Sequence, residues 1–363
     1  MARKPATENS KKCTAQQDHC RASRLLTSGV HAIDKSSRLR VIAAARSHQE
    51  HRRSKRVPKD LERLVQIGFE ASVAVISASA PGKINLYFAV GPKLDTGYHE
   101  VCSVYLALKL REVVSVGFSD KTEISVQGSL SRQQLLGVPI DESNLVVAAG
   151  KLITDRSLRF EIRKNVPVAG GMGGGSADAA ASLLATQALT GNYNQVDAVK
   201  LGADVPFALM GSVALGTGVG EKLTALEMET ELHIVLITCE GGLSTPMVYQ
   251  RLDELRKEED LVPEFTPPTP VDLIDALAQG DVSAIARLAH NDLQRAALSL
   301  KPELQDTITR ALSAGALTAL VSGSGPTIFA IAESEDSAKK IAAEFGDRAL
   351  VTSGPAVGAR LEN

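Results

Sequence analysis

None of the apolar runs in the 363 residues reaches the ~18 to 20 that a membrane span needs, and no short apolar stretch with a small-residue cleavage site stands at the start. Cysteine is scarce too. Cys13, Cys20, Cys102 and Cys239 are scattered without C-x-x-C spacing, which argues against a disulfide framework and against a structural zinc site. Cys13, His19, Cys20 and His31 fit no zinc template, and their segment has little apolar patterning. The expectation is a soluble, cytoplasmic protein.

With 44% hydrophobic residues, the chain is long enough for one large or two medium cores, and two domains are expected. The net charge of −2 hides an asymmetry: residues 1 to 60 hold fifteen Lys/Arg against five Asp/Glu. Such a leader suits nucleic acid, yet "HQEHRRSKRVPKD" has no aromatic residue for base stacking. Residues 1–71 are therefore expected to be a disordered basic extension. The same composition fits a plastid-type transit peptide, and an upstream-extended reading frame would produce it equally.

Regular patterning begins near Ser72. In "KINLYFAV", Ile84, Leu86, Phe88 and Val90 alternate with Lys83, Asn85, Tyr87 and Ala89, the period of a half-buried strand with Lys83 and Asn85 on its polar face. Turn residues follow at Gly91-Pro92 and Asp95-Thr96-Gly97. Strands are predicted at Val113 to Phe118, Thr122 to Val126 and Leu158 to Lys164, with a helix around Asn144 to Ile153. From "HIVLIT" onward, helices are predicted at Pro270 to Gln279, Val282 to Leu288 and Pro302 to Ala314, and strands at Ala319 to Val321, Ile328 to Ala332 and Arg348 to Val351. There is no strict alternation of strand and helix and no internal repeat, so the class is α+β.

The stretch "VPVAGGMGGGSADAAASLLATQAL" puts five glycines into the six positions from Gly170 to Gly175, between a strand and an alanine-rich helix. Glycines let successive backbone N–H groups converge on phosphate oxygens, and a helix N-terminus adds roughly half a positive charge. Ser176 is the expected N-cap, and Met172 is expected to pack inward at the bend. Two familiar templates fail. No lysine follows the last glycine as a P-loop requires, and the run does not fill the G-x-G-x-x-G register of a dinucleotide fold. The alternative is a flexible turn.

Two companion segments, "PGKINL" and "VSGSGPTIFA", complete a set that resembles the three motifs of the GHMP kinase superfamily. "TGYHEVCSVY", "LGADVPFALMG", "LSTPMVY" and "NDLQRAALSLKPEL" make seven matching stretches in family order across roughly residues 76 to 355. They are most similar to the branch that phosphorylates the 2-hydroxyl of 4-diphosphocytidyl-2-C-methyl-D-erythritol in non-mevalonate isoprenoid precursor synthesis. The resemblance implies a ribosomal protein S5-like N-terminal domain over 72–228 and a ferredoxin-like C-terminal domain over 229–363; a monomer or homodimer is expected.

It also implies roles. Asp204 would be the base for the acceptor hydroxyl, with Lys83 beside it; on the residues alone, Asp204 reads equally well as a cap for the turn at Pro206. Pro167, Gly170, Gly171, Gly173, Gly174, Gly175 and Ser176 would hold the ATP phosphates. Asn85 would contact the polyol, Tyr98 and Tyr249 would sandwich the cytosine, His99 would read its edge, and Thr245, Ser324 and Gly325 would complete the acceptor site. Mg²⁺ is expected with ATP, but no pair of carboxylates marks a protein site for it; Asp178 is the nearest candidate. Thr96 stands where the family usually has Asp, Ala177 replaces a second serine, and the stretch before Asp204 is several residues short, which would shift that carboxylate. The competing readings are a homoserine- or mevalonate-type kinase, and a silent ligand sensor that contacts nucleic acid through its leader.

Overall fold

In the structure, a computed structural model that describes residues 74–263 and 266–362, β1 (Val75–Lys93) and β2 (His99–Phe118) form one long antiparallel hairpin. The turn closes where the Leu94 amide donates to the Tyr98 carbonyl at 2.7 Å. The sequence pattern predicts only the last six residues of β2. Val101 to Leu108 are all buried, so this stretch lacks the alternation that betrays a half-exposed strand.

The hairpin is the centre of an eight-stranded sheet. β3 (Glu123–Gly128), β4 (Leu158–Lys164) and β12 (Arg360–Leu361) complete the order β12-β1-β2-β4-β3. β5 (Val213–Thr217) and β6 (Lys222–Ala225) extend from β2, and β8 (His290–Asn291) pairs with β1. A second, antiparallel sheet contains β7 (Leu232–Ile237), β9 (Thr318–Val321), β10 (Ile328–Ala332) and β11 (Ala349–Gly354) in the order β11-β7-β10-β9. The helices are α1 (Arg132–Leu136), α2 (Leu145–Lys151), α3 (Gly174–Thr190), α4 (Val205–Met210), α5 (Thr245–Glu258), α6 (Val271–Gln279), α7 (Val282–Leu288), α8 (Leu293–Leu300), α9 (Glu303–Ser313) and α10 (Glu335–Ala343). The α+β class holds. Helices α1, α5, α8 and α10 are absent from the sequence-based expectation; α5 buries only Val248 and Leu252, too little apolar pattern to announce a helix.

The described residues form one compact unit. The apolar alternation in β1 serves two cores. Ile84 and Leu86 pack in a cluster with Leu232, Ile234 and Leu236 of β7 and Phe329 of β10, while Phe88 and Val90 join Val235, Val321 and Ile328. Helix α3 lies over the first sheet and is buried almost all round, with Ala177, Ala179, Ala180, Ala181 and Ala185 inaccessible. Small side chains allow this close approach, and a larger one would overpack it by about 1–3 kcal/mol. The expectations for the basic leader, including Cys13, His19, Cys20 and His31, lie outside the described residues. Among the described residues no helix is long and apolar enough to cross a membrane.

Candidate active site

The glycine loop runs from the end of β4 into α3. Gly173, in the left-handed region at φ +67°, is the N-cap of α3 and makes no side-chain capping bond. This corrects the expectation for Ser176, which is the third residue of the helix. A cap without a side chain leaves the first-turn N–H groups free for an anion, where a serine cap would occupy one. Met172 packs inward, 1% exposed, as predicted, and its carbonyl accepts the Lys83 amide at 3.0 Å. The loop is therefore tied to β1.

Lys83 and Asn85 share a face of β1, and both are buried because the loop covers that face. Lys83 Nζ donates to Asn85 Oδ1 at 2.9 Å and lies 3.4 Å from Asp204 Oδ2. Asn85 Nδ2 donates to Ser103 Oγ at 2.7 Å, which fixes the amide. Asp204 is at the N-cap position of α4 but makes no capping bond with its side chain, so its carboxylate is left to face Lys83. A Cβ added at Gly173 would stand 3.2 Å from Lys83 Cγ and 3.6 Å from Asp204 Oδ2. Lysine, carboxylate and glycine loop converge on one point, and the short stretch before Asp204 has not displaced it.

The second small-residue loop meets the first. Ser322 Oγ donates to the Gly171 carbonyl at 3.1 Å, and Asn291 Nδ2 donates to the Val321 and Gly323 carbonyls at 2.8 Å each. Thr245 Oγ1 and Ser324 Oγ share a hydrogen bond of 2.9 Å. Gly171, Thr245, Gly323 and Ser324 line a cavity of about 950 Å³ whose wall includes every predicted site residue except Gly325. Gly325 instead turns the loop, at φ +79°.

Also in the cavity wall, the His99 ring stacks on Tyr249, centroids 4.9 Å apart at 29°, while Tyr98 is 67% exposed. The ring facing Tyr249 is thus His99 and not Tyr98. Burial, with the Asp204 charge second, pushes the Tyr249 hydroxyl well above its ordinary range, so it stays a neutral hydrogen-bonding group.

One cluster has no counterpart in the sequence-based expectations. Lys164 Nζ, at the end of β4, lies 2.5 Å from Glu112 Oε1 of β2 and 2.7 Å from Asp178 Oδ2 of α3, and all three side chains are at most 4% exposed. Burial, then the Asp178 charge, pushes Glu112 up to about 8; burial pushes Asp178 up to about 6. With one ammonium facing both, each buried carboxyl holds a proton to higher pH than an exposed one would. Asp178 is thereby engaged by Lys164 through Oδ2, while its Oδ1 has no hydrogen-bond partner among the described residues. Lys164, Asp178 and Asn144 also line the cavity beside the loop.

Residues 144–212 match the GHMP kinases N-terminal domain and residues 273–350 match the GHMP kinases C-terminal domain. A protein of Arthrobacter sp. (strain FB24) named 4-diphosphocytidyl-2-C-methyl-D-erythritol kinase is 43% identical over 302 residues, covering 79% of this chain and 94% of that protein. One of the same name from Rhodococcus jostii (strain RHA1) is also 43% identical, over 78% of this chain and 94% of its own length. A crystal structure of 4-(cytidine 5'-diphospho)-2C-methyl-D-erythritol kinase superposes with a TM-score of 0.61 at 30% identity, over 77% of this chain and 100% of the other. Homoserine kinase from Cytophaga hutchinsonii, at 21% identity and a TM-score of 0.58 over 81% and 99%, shares the fold. Identity of 43% across nearly the whole of a relative fixes what fold likeness alone leaves open: the chain belongs to the GHMP kinase family, as an ATP-dependent small-molecule kinase on the branch of the 4-diphosphocytidyl-2-C-methyl-D-erythritol kinases.

Proposed function

We propose that this chain transfers the γ-phosphoryl group of ATP to the 2-hydroxyl of 4-diphosphocytidyl-2-C-methyl-D-erythritol, in the cytoplasm. The observation that carries the reading is the convergence of Lys83, Asp204 and Gly173 on one point of a cavity that His99 and Tyr249 also line. Asp204 takes the hydroxyl proton as the new P–O bond forms, the bond to the β-phosphate oxygen breaks, and ADP leaves. Lys83 keeps the carboxylate and the attacking oxygen in register. The first-turn N–H groups of α3 and the glycine loop hold the phosphates. Tyr98, His99 and Tyr249 hold the cytosine, while Asn85, Thr245 and Ser324 face the polyol and diphosphate.

Mg²⁺ fits here as a companion of the ATP phosphates, since such an ion keeps several waters and takes one or two carboxylates together with phosphate oxygens. Bound to ATP it would supply charge compensation on the phosphoryl oxygens; Ser176, Asp178 and Asp204 line the cavity with side-chain oxygens and would be its donors. Replacing Asp204→Asn should lower kcat by about a hundredfold or more in an ADP-release assay, because base catalysis contributes ~10²–10⁴. ATP affinity should persist. An Asn variant with wild-type kcat would refute the base assignment, and faster turnover of homoserine or mevalonate than of the cytidyl acceptor would refute the substrate.

A further inference from the structure

Asp253 lies one helical turn beyond Tyr249 on α5, so the two side chains share a face. Its Oδ1 is 2.9 Å from His99 Nε2. The imidazole is 5% exposed and the carboxylate 34%, so the contact sits at the edge of the cavity wall with the ring inside it. An ionised carboxylate only accepts hydrogen bonds; the shared proton therefore belongs to Nε2. In the neutral ring this leaves Nδ1 as an acceptor, and stacking on Tyr249 fixes the ring plane.

We propose that Asp253 is a positioning residue that selects the cytosine-bearing acceptor by holding His99 in the tautomer whose Nδ1 accepts a hydrogen bond. This rests on the cytidyl-acceptor reading above. Cytosine offers an exocyclic amino group that donates to such a nitrogen. Uracil has a carbonyl oxygen at the same place, which would set lone pair against lone pair. A site built to pair with a donor rejects the analogue that lacks it far more strongly than a site that only fills space. Asp253 touches neither the base nor the reacting atoms in this account; it acts through the imidazole.

The test compares Asp253→Ala and Asp253→Asn with wild type, using the cytidyl acceptor and its uridyl counterpart in an ADP-release assay. Loss of the carboxylate frees His99 to carry its proton on Nδ1 and donate to the uracil carbonyl. For Asp253→Ala the KM for the cytidyl acceptor should rise about tenfold, and the cytidyl-to-uridyl ratio of kcat/KM should fall about tenfold or more. Asp253→Asn retains an amide oxygen able to accept from Nε2 and should recover part of that ratio. A structural defect would instead lower both acceptors together and raise the KM for ATP. An Asp253→Ala enzyme with the wild-type ratio overturns the proposal, whereas a wild-type enzyme that does not prefer the cytidyl acceptor overturns the reading beneath it.

Discussion

Replacing Glu112 by Gln should change how stability depends on pH. Glu112 is fully buried, and its carboxyl is pushed up to about 8 from an ordinary 4.5. The sign follows from proton counts. Below about pH 4.5 both folded and unfolded forms are protonated there; between about 4.5 and 8 the unfolded chain has lost a proton that the native state keeps, so stability falls as pH rises. The slope is at most about 1.4 kcal/mol per pH unit, and the loss is on the order of 4 kcal/mol by pH 8. Asp178, pushed up to about 6, acts in the same direction over a lower window. Glutamine cannot ionise, so it removes the Glu112 contribution. It also has a constant cost. Glu112 Oε2 accepts the Asn165 amide at 2.8 Å while Oε1 faces Lys164, and one end of the glutamine amide must turn donor toward donor, at about 1–3 kcal/mol. Urea unfolding at about pH 5 and pH 8 should therefore find Glu112→Gln less stable than wild type at the lower pH and close to it, or above it, at the higher. A stability difference that does not change with pH would refute the raised Glu112 carboxyl.

Two further predictions concern the cavity. Gly171 has φ +74°, and a Cβ there would stand 2.0 Å from the Ser322 carbonyl oxygen, so Gly171→Ala should force the two loops apart, lower Tm and weaken ATP binding measured by calorimetry; Gly175, whose nearest contact would be Leu145 Cδ1 at 3.8 Å, should accept alanine without loss of Tm. Unchanged ATP affinity in Gly171→Ala would count against the loop as the phosphate cradle. Tyr249→Leu removes the ring on which His99 rests, and at ~1–3 kcal/mol per stacked base the KM for the cytidyl acceptor should rise roughly fivefold to a hundredfold while the KM for ATP holds; an unchanged acceptor KM would remove Tyr249 from the base site.

The parts of the site that were legible in the sequence are those whose chemistry is local. Five glycines before an alanine-rich helix announce a bare backbone, and the alternation in "KINLYFAV" puts Lys83 beside Asn85 without any knowledge of tertiary structure. Glu112, Lys164 and Asp178 had no such signature. Each is an ordinary charged residue at the end of an apolar segment, and only the register that pairs Val113 with Arg163 brings the first two together. Asp253 was hidden for a related reason: it lies on a helix whose few buried positions gave no pattern, and its partner arrives from a strand far away in the chain.

The misplaced cap at Ser176 shows how function can override a local rule. A serine at the N-cap stabilises a helix by about 1 kcal/mol by occupying a first-turn N–H group. In α3 that position is Gly173, which leaves the N–H groups open and admits Lys83 and Asp204 to within contact of its α-carbon side. The helix gives up a capping bond, and its stability comes from the burial of its alanines against β1 and β2. A strong cap and an open anion site are alternatives at the same position; the burial of the rest of α3 is what allows the second.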